Sequence, residues 1–132
     1  MLKAGLIYRE NFCVLNEHTA KAVQSGGLDV LASPVLIAWM EKCAWQSVLP
    51  DLEQGTDTVG TFIEMQHLSA TPVGMTVECV CELTSLQGRE LTFEIQAKDE
   101  KDIIAKAVHK RFIINTDSFL KKVNLKSDST KA

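Results

Sequence analysis

The chain has 132 residues, 45% of them hydrophobic and 23% charged, with a formal net charge of -3. This composition predicts one compact domain and excludes an intrinsically disordered chain, and the mildly acidic balance argues against a nucleic-acid partner. No apolar run approaches the roughly 20 residues that span a bilayer, and the first residues lack a signal core. We therefore expect a cytoplasmic protein without membrane contact.

The first half of the chain predicts a strand and two helices. Residues 5–15, rich in β-branched and aromatic side chains, predict the strand, and a short helical segment is predicted around residues 20–24. A long helix is predicted to begin with Ser33 as its N-cap and Pro34 at its first helical position, and to end at Pro50. It is apolar almost all the way round, which predicts that other structure encloses it.

Glu41 is the strongest anomaly in this helix. Its helical neighbours at three and four positions are all apolar, namely Ile37, Ala38, Ala44 and Trp45. A carboxylate on an apolar face must be paired, protonated or functional, because burial of an isolated charge is costly. Glu41 is therefore a candidate catalytic group, and a buried structural pair, with His67 as one partner, is the alternative.

A strand is predicted from Thr58 to His67, and Pro72 breaks the chain after it. Alternate side chains of a strand share one face. Here that face holds Val59, Thr61, Ile63, Met65 and His67. It is apolar until its last member, which marks His67 as a candidate proton-transfer group at the rim of the core. The alternative is a half-exposed histidine at a strand end.

Three further strands are predicted in an antiparallel meander with turns at residues 87–88 and 99–102. In the first two strands the inward side chains are predicted to be Met75, Val77, Cys79, Cys81, Leu83, Leu91, Phe93, Ile95 and Ala97. One parity of the last strand, residues 103–115, groups Ile103, Ala105, Ala107, His109, Arg111 and Ile113. A short turn is predicted at residues 118–122, which closes a single domain over residues 1–122, and residues 123–132 are predicted to be a flexible tail.

The cysteines are Cys13, Cys43, Cys79 and Cys81. No Cys-x-x-Cys spacing occurs, and Cys79 and Cys81 point the same way on one predicted strand, which favours small buried side chains over a redox pair for these two. A zinc site that adds His67 or His109 is a weaker alternative, since the spacing typical of such sites is absent. We expect no metal and no cofactor.

One enclosed helix and about five antiparallel strands make an α+β domain in which the sheet wraps around the helix. An open sheet has edge strands, and pairing across a two-fold axis is a common way to cover one. The sequence therefore predicts a homodimer.

Several short motifs occur in one order and spacing. They are Ala32-Ser33-Pro34, Met40-Glu41, Thr58-Val59-Gly60-Thr61, His67 with Ala70-Thr71-Pro72-Val73-Gly74, Gln87-Gly88-Arg89 and His109-Lys110-Arg111. Over about residues 5–120 the chain thus resembles the hotdog-fold thioesterases, specifically the branch of fluoroacetyl-CoA thioesterase. The resemblance implies a hotdog fold, a homodimer with active sites at the subunit interface, and hydrolysis of an acyl-CoA.

The resemblance also implies the site residues. The catalytic hydroxyl, glutamate and histidine of the family match Ser33, Glu41 and His67, the glycine near the thioester carbonyl matches Gly60, and the arginine of the final strand matches Arg111. Glu41 would attack the thioester or activate water, while His67 would move the proton. The backbone of Gly60 or of the helix start would hold the oxyanion. Arg111 would grip a coenzyme A phosphate. The alternatives are a bulge or close packing at Gly60 and a surface ion pair at Arg111.

Spacing and composition restrict this model. Ser33 and Glu41 are eight positions apart, about 12 Å along an ideal helix, which favours a site built from two subunits. The family member specialised for fluoroacetyl-CoA has a threonine in place of Ser33 and covers its site with phenylalanines, whereas residues 22–31 here hold no aromatic side chain. We therefore expect a different short or medium acyl group. The rival functions are a non-catalytic acyl-CoA-binding protein and a hotdog dehydratase.

Overall fold

The computed structural model describes residues 1–129, which form five strands and three α-helices. In chain order these are β1 (Ile7–Cys13), α1 (Ala20–Val23), α2 (Ser33–Val48), β2 (Thr56–His67), β3 (Thr76–Gln87), β4 (Glu90–Lys98), β5 (Ile103–Asn115) and α3 (Thr116–Ser129). Short 3₁₀ turns at Asn16–His18 and Leu49–Asp51 precede α1 and follow α2.

The strands form one antiparallel sheet in the order β1-β3-β4-β5-β2. β1 and β2 occupy its two edges, and α2 connects them in the chain, so the helix must cross the sheet from one edge to the other. The sheet curves around α2 and buries it. The predicted α+β hotdog architecture, one antiparallel sheet around a long central helix, is confirmed.

The core lies between α2 and the inward face of the sheet. Its members from α2 include Leu36, Met40, Cys43, Ala44 and Val48, all without solvent exposure. The alternation predicted for β3 and β4 is confirmed, because each inward side chain from Val77 to Ala97 is at most 3% exposed. Cys79 and Cys81 are buried free thiols, as predicted; Cys43 is buried as well, whereas Cys13 is exposed.

The start of α2 differs from the prediction. The N-cap is Ala32, and no side chain accepts a capping hydrogen bond from the first turn. Ser33 is already the first helical residue, and its hydroxyl bonds the imidazole of His67 instead of the helix backbone. The prediction of Ser33 as the N-cap was therefore wrong, while the helix end before Pro50 is confirmed.

A β-bulge interrupts β2 at Thr61. Gly60 pairs with Arg111, and the next pair along β2 joins Phe62 to Lys110, so Thr61 has no partner in register. Its hydroxyl donates to the carbonyl oxygen of Lys110 at 3.3 Å. An extra residue of this kind shifts the alternation of side chains by one position.

The bulge corrects the face predicted for β2. Before it, Thr58 is buried, at 4% exposure; after it, Ile63 packs against the core. The side chains that face the helix therefore change from even to odd positions at the bulge. The prediction that Val59 and Thr61 share a face with His67 was wrong.

The sequence left the inward face of β5 open, and the side chains of the parity named above are fully enclosed only in the middle of the strand. Ala105, Ala107, His109 and Arg111 are buried, but Ile103 is 46% exposed. A register shift against β4 near Ala97 and Lys98 accounts for this end of the strand.

The C-terminal part is helical where a turn and then a tail were predicted. α3 continues from Thr116 to Ser129, and its apolar side chains Leu120, Val123 and Leu125 are exposed. Residues 130–132 lie outside the described part of the chain. A domain boundary at residue 122 stays a prediction. Among the described residues no helix is long and apolar enough to cross a membrane.

Substitution of Leu36 tests the core. Leu36→Ala removes a fully buried side chain of α2, and we expect it to lower the free energy of unfolding by about 2–5 kcal/mol, since a cavity remains. Leu28→Ala is the control, because Leu28 is 71% exposed. Urea denaturation at one protein concentration measures both, and equal stabilities would contradict the packing described for α2.

Candidate active site

Ser33 and His67 form a hydroxyl–imidazole pair where the start of α2 meets the end of β2. Ser33 Oγ lies 2.7 Å from His67 Nδ1. His67 Nε2 is buried and has no hydrogen-bond partner among the described residues. This nitrogen is therefore uncommitted, and the bond at Nδ1 fixes the orientation of the ring.

Burial lowers the pKa of His67, and the nearby backbone of Ser69 acts in the opposite direction. Since the ordinary value for histidine is about 6.5, the ring is neutral at pH 7. A neutral imidazole can accept a proton at one nitrogen and donate one from the other, which suits it to proton transfer.

An open cavity of about 380 Å³ adjoins this pair. Its wall contains Ser33 and His67, and small side chains from three chain segments form much of the rest, namely Ala20, Ser25, Ala32, Ser69 and Ala70. The small side chains leave room for a ligand beside the imidazole.

Glu41 lies two turns further along α2, against Gly60 of β2. A methyl group in place of the Gly60 hydrogen would lie 3.3 Å from Glu41 Oε2, 3.2 Å from His109 Cε1 and 3.4 Å from Arg111 Nη1. All three side chains thus converge on the one position of β2 that has no side chain. Both alternatives for Gly60, a bulge and close packing, describe real features of this position, since the bulge follows it directly.

Arg111 is buried and is held by neutral acceptors. Its Nε donates to Thr58 Oγ1 at 2.7 Å, its Nη2 to the Thr58 carbonyl at 3.0 Å, and its Nη1 to His109 Nε2 at 3.1 Å. Burial lowers the pKa of Arg111, and the carboxylates of Glu41 and Asp57 oppose this, so the guanidinium stays charged. A surface ion pair, one alternative for Arg111, was wrong, because the residue is only 8% exposed.

His109 is the site residue that the sequence analysis missed. It has no solvent exposure, and its Nδ1 lies 2.7 Å from the Phe62 carbonyl. The sequence signal was that His109 and Arg111 are two positions apart on one strand, so that their side chains lie on the same face of β5.

The zinc alternative is not supported, since no group of three or more His, Cys, Asp or Glu side chains in residues 1–129 is placed to hold a metal ion.

Trp45 connects the helix to the beginning of β2. Its indole Nε1 donates to Asp57 Oδ1 at 2.8 Å, and the same oxygen accepts from the backbone N–H of Thr58 at 2.7 Å. Thr58, which accepts hydrogen bonds from Arg111, is therefore linked to α2 through Asp57 and Trp45.

The predicted site residues form two separate groups within one chain. Ser33 pairs with His67, whereas Glu41 lies with Gly60 and Arg111. Gly60 and His67 are seven residues apart on an extended strand, about 23 Å. Glu41 makes no direct ion pair with another described residue, so the structural pair considered for it, with His67 or another cation, is not formed in this chain.

The sequence is similar to proteins that are named as fluoroacetyl-CoA thioesterases. Residues 14–117 match the family model of fluoroacetyl-CoA-specific thioesterases. The chain is 35% identical over 99 residues to the fluoroacetyl-CoA thioesterase of Streptantibioticus cattleyicolor, an alignment that covers 75% of this chain and 71% of that protein.

Solved structures agree with this match. A structure of the fluoroacetyl-CoA thioesterase superposes with a TM-score of 0.91 at 30% identity, over 96% of this chain and 98% of that one. Its threonine-to-serine mutant in complex with acetyl-CoA gives 0.90 at 30% identity, over 95% and 98%. A thioesterase superfamily member from Thermus thermophilus shares the fold, with a TM-score of 0.88 at 21% identity over 98% of both chains.

Gly60→Ala tests the convergence at this position. The added methyl would press on the His109 ring and on Arg111, which hydrogen bonds hold in place, so we expect a loss of about 1–3 kcal/mol in the free energy of unfolding. Gly27→Ala is the matched control, because a methyl there meets no atom within 4 Å. Equal unfolding midpoints in urea for the two variants would show that the side chains around position 60 yield to a methyl group without cost.

Proposed function

The chain belongs to the fluoroacetyl-CoA-specific thioesterase family, and from this membership we propose that it hydrolyses a short- or medium-chain acyl-CoA to the free acid and coenzyme A. One observation carries the proposal for this chain's own residues. The Glu41 carboxylate and His67 Nε2 are both left uncommitted, although each is at least half enclosed by protein. A carboxylate without a partner can act as nucleophile or base, and an imidazole with one free nitrogen can carry a proton, which are two of the functions that such a hydrolysis needs.

Thioester hydrolysis requires an attacking oxygen, a donor for the oxyanion and a proton for the leaving sulfur. Glu41 attacks the thioester carbonyl, or removes a proton from the water that attacks it. If Glu41 attacks, a C–O bond to Glu41 forms, the C–S bond breaks when the oxyanion collapses, and water then hydrolyses the acyl-glutamate anhydride and restores Glu41. If Glu41 acts as the base, the oxygen of water forms the C–O bond and the C–S bond breaks in the same way. In both routes one water molecule is consumed, and a proton passes through His67 to the coenzyme A sulfur and is replaced from that water.

The oxyanion would form close to backbone donors. The first turn of α2 leaves N–H groups without intrahelical partners, and the positive end of the helix dipole favours negative charge there. Because Ser33 bonds His67 and not this turn, these N–H groups stay free of a side-chain cap. The Gly60 backbone is the second candidate donor, since the missing side chain lets a carbonyl approach it closely.

Arg111 is assigned to the acyl end of the substrate. Its guanidinium is buried beside Gly60 and Glu41, and its two bonds to Thr58 and one to His109 leave further N–H groups available. A grip on a coenzyme A phosphate, the remaining alternative, requires a solvent-facing cation. The buried position therefore favours contact with the acyl group.

A homodimer would unite the two groups of site residues. β2 is an edge strand, and Phe62 in its middle is 46% exposed, so it presents both backbone groups and apolar surface for pairing. If two β2 strands pair antiparallel about a point midway between Gly60 and His67, Gly60 of one chain lies beside His67 of the other. Each site would then take Glu41 from one chain and the Ser33–His67 pair from the second.

The expected substrate is an acyl group larger than fluoroacetyl. Residues 22–31 beside the cavity hold no aromatic side chain, and small side chains form much of the cavity wall. Ser33 also lacks the methyl group that would restrain its hydroxyl rotamer.

Substitution of the two uncommitted groups tests the chemistry. Glu41→Gln and His67→Gln keep the shape of each side chain but remove the base and the proton carrier, so we expect kcat to fall by roughly 10²–10⁴-fold for the best acyl-CoA of a panel. Release of free thiol measures the rate. Glu53→Gln is the control, since Glu53 is exposed.

Two outcomes would contradict the assignment. Parent-like rates in both variants would remove Glu41 and His67 from the mechanism. Binding of acyl-CoA by the parent without release of thiol from any acyl group of the panel would identify an acyl-CoA-binding protein.

Complementation tests the shared site. In a mixed dimer of Glu41→Ala and His67→Ala chains, one of the two sites receives both intact residues. Random assortment makes half of the dimers mixed, so we expect about a quarter of parental activity from co-expressed chains. Separately purified variants, each inactive, are the reference. No recovery in a purified mixed dimer, or full activity in a monomer, would overturn the shared site.

A further inference from the structure

We propose that His109 is a positioning residue of this site, whose imidazole holds Arg111 away from Glu41 and fixes β2 on both sides of Gly60. The inference rests on the proposed thioesterase function. His109 itself would not touch the substrate, because its ring is enclosed and both of its nitrogens are occupied. It would act through Arg111 and through the backbone of the bulge.

The hydrogen bonds of His109 determine its tautomer. A guanidinium can only donate, so the 3.1 Å contact from Arg111 Nη1 requires an unprotonated Nε2 on His109. The proton of a neutral ring must then be on Nδ1, which lies 2.7 Å from the Phe62 carbonyl, an acceptor. Nδ1 thus donates to the Phe62 carbonyl and Nε2 accepts from Arg111, so neither nitrogen is free for another hydrogen bond.

These bonds hold β2 at two points around Gly60. Arg111 bonds Thr58, two residues before Gly60, and His109 bonds Phe62, two residues after it. The bulge at Thr61 interrupts backbone pairing between these points. Side chains of β5 therefore supply the fixed geometry that regular pairing would otherwise give.

The position of the guanidinium decides whether Glu41 can react. Arg111 and Glu41 both lie against Gly60, yet they form no direct ion pair. A bidentate ion pair with a freed guanidinium would occupy the carboxylate oxygens and make them poor bases. By accepting from Nη1, His109 keeps the cation close to Glu41 but bonded elsewhere.

Charged groups reach His109 from two elements. Arg111 lies on its own strand and Glu41 on α2, while β4 contributes the uncharged Phe93 ring at 6.2 Å. Burial lowers the pKa of His109 and Arg111 lowers it further, while the Phe62 carbonyl and Glu41 act in the opposite direction.

The pKa of His109 therefore lies below the ordinary value of about 6.5, and the ring stays neutral at pH 7. Protonation at lower pH would place an N–H and a second positive charge against Arg111 Nη1. Because the folded pKa is the lowered one, the stability that depends on the neutral ring is present above the ordinary value and is lost as pH falls through the folded pKa.

Two substitutions separate the two bonds. In His109→Gln the side-chain amide can place an acceptor where Nε2 was, facing Arg111. In His109→Asn the amide can place a donor where Nδ1 was, facing the Phe62 carbonyl, but no acceptor reaches Arg111. Since both variants are polar and close in size, loss of packing is similar in the two.

We expect the kcat of His109→Asn to fall by about 10²-fold with a much smaller change in KM, while His109→Gln stays within about tenfold of the parent. Thermal unfolding of both variants measures the structural loss. His18→Gln is the control for the exchange itself, because His18 lies outside the site: its Nδ1 accepts from the backbone N–H of Leu15, its Nε2 lies 4.0 Å from Glu17, and its ring packs against Trp39.

Equal losses of kcat in the Asn and Gln variants, or a parental rate in His109→Asn, would overturn the inference. If a variant does not fold, ¹⁵N NMR of the parent remains decisive: a neutral His109 protonated at Nδ1 at pH 7 supports the inference, and a proton on Nε2 overturns it. A parent that hydrolyses no acyl-CoA would refute the proposed function and leave this tautomer measurement interpretable.

Discussion

Arg111 bonds Thr58 and His109 instead of pairing with Glu41, and the arrangement of the candidate site depends on this. A buried guanidinium must satisfy its donors, since an unpaired buried charge is very unfavourable. Neutral acceptors take three of its five N–H groups here without using the carboxylate. Trp45 extends the same network to α2 through Asp57. The helix and both strands are therefore held by one continuous set of hydrogen bonds, which leaves the Glu41 carboxylate out.

The length of α2 separates the candidate site residues of one chain into two groups. Ser33 begins the helix and Glu41 follows two turns later, so one chain presents an acid and a hydroxyl–imidazole pair that cannot meet on one substrate atom. The same strand, β2, carries a partner for each group, Gly60 near its middle and His67 at its end. Because β2 is an edge strand, dimerisation along it is a direct way to bring unlike groups together.

The parts of the fold that could be predicted from the sequence are those with uninterrupted periodicity. β3 and β4 alternate from Val77 to Ala97, and their inward side chains are all buried. The prediction failed where a distant partner competed with a local rule. The Ser33 hydroxyl would cap its helix by local preference, but His67, 34 residues away, takes it. α3 was also missed, since its polar composition suggested a turn and a tail.

The site could be predicted only in part from the sequence, because the resemblance to a family identifies residues but not the contacts between them. Ser33, Glu41, His67, Gly60 and Arg111 were all candidates, and the structure sorts them into two groups. His109 had no separate signal beyond its parity with Arg111. Its role depends on the direction of two hydrogen bonds, which no spacing in the sequence encodes.

The bulge at Thr61 resolves a conflict that the sequence already contains. Gly60 and His67 are seven residues apart, an odd separation, and a regular strand would place them on opposite faces. Both must face α2, since Glu41 and Ser33 meet them from the helix. One extra residue between them restores a common face. Two inward functional positions at odd spacing on one strand therefore require a bulge between them, and the side chains of Arg111 and His109 are what fix it in place.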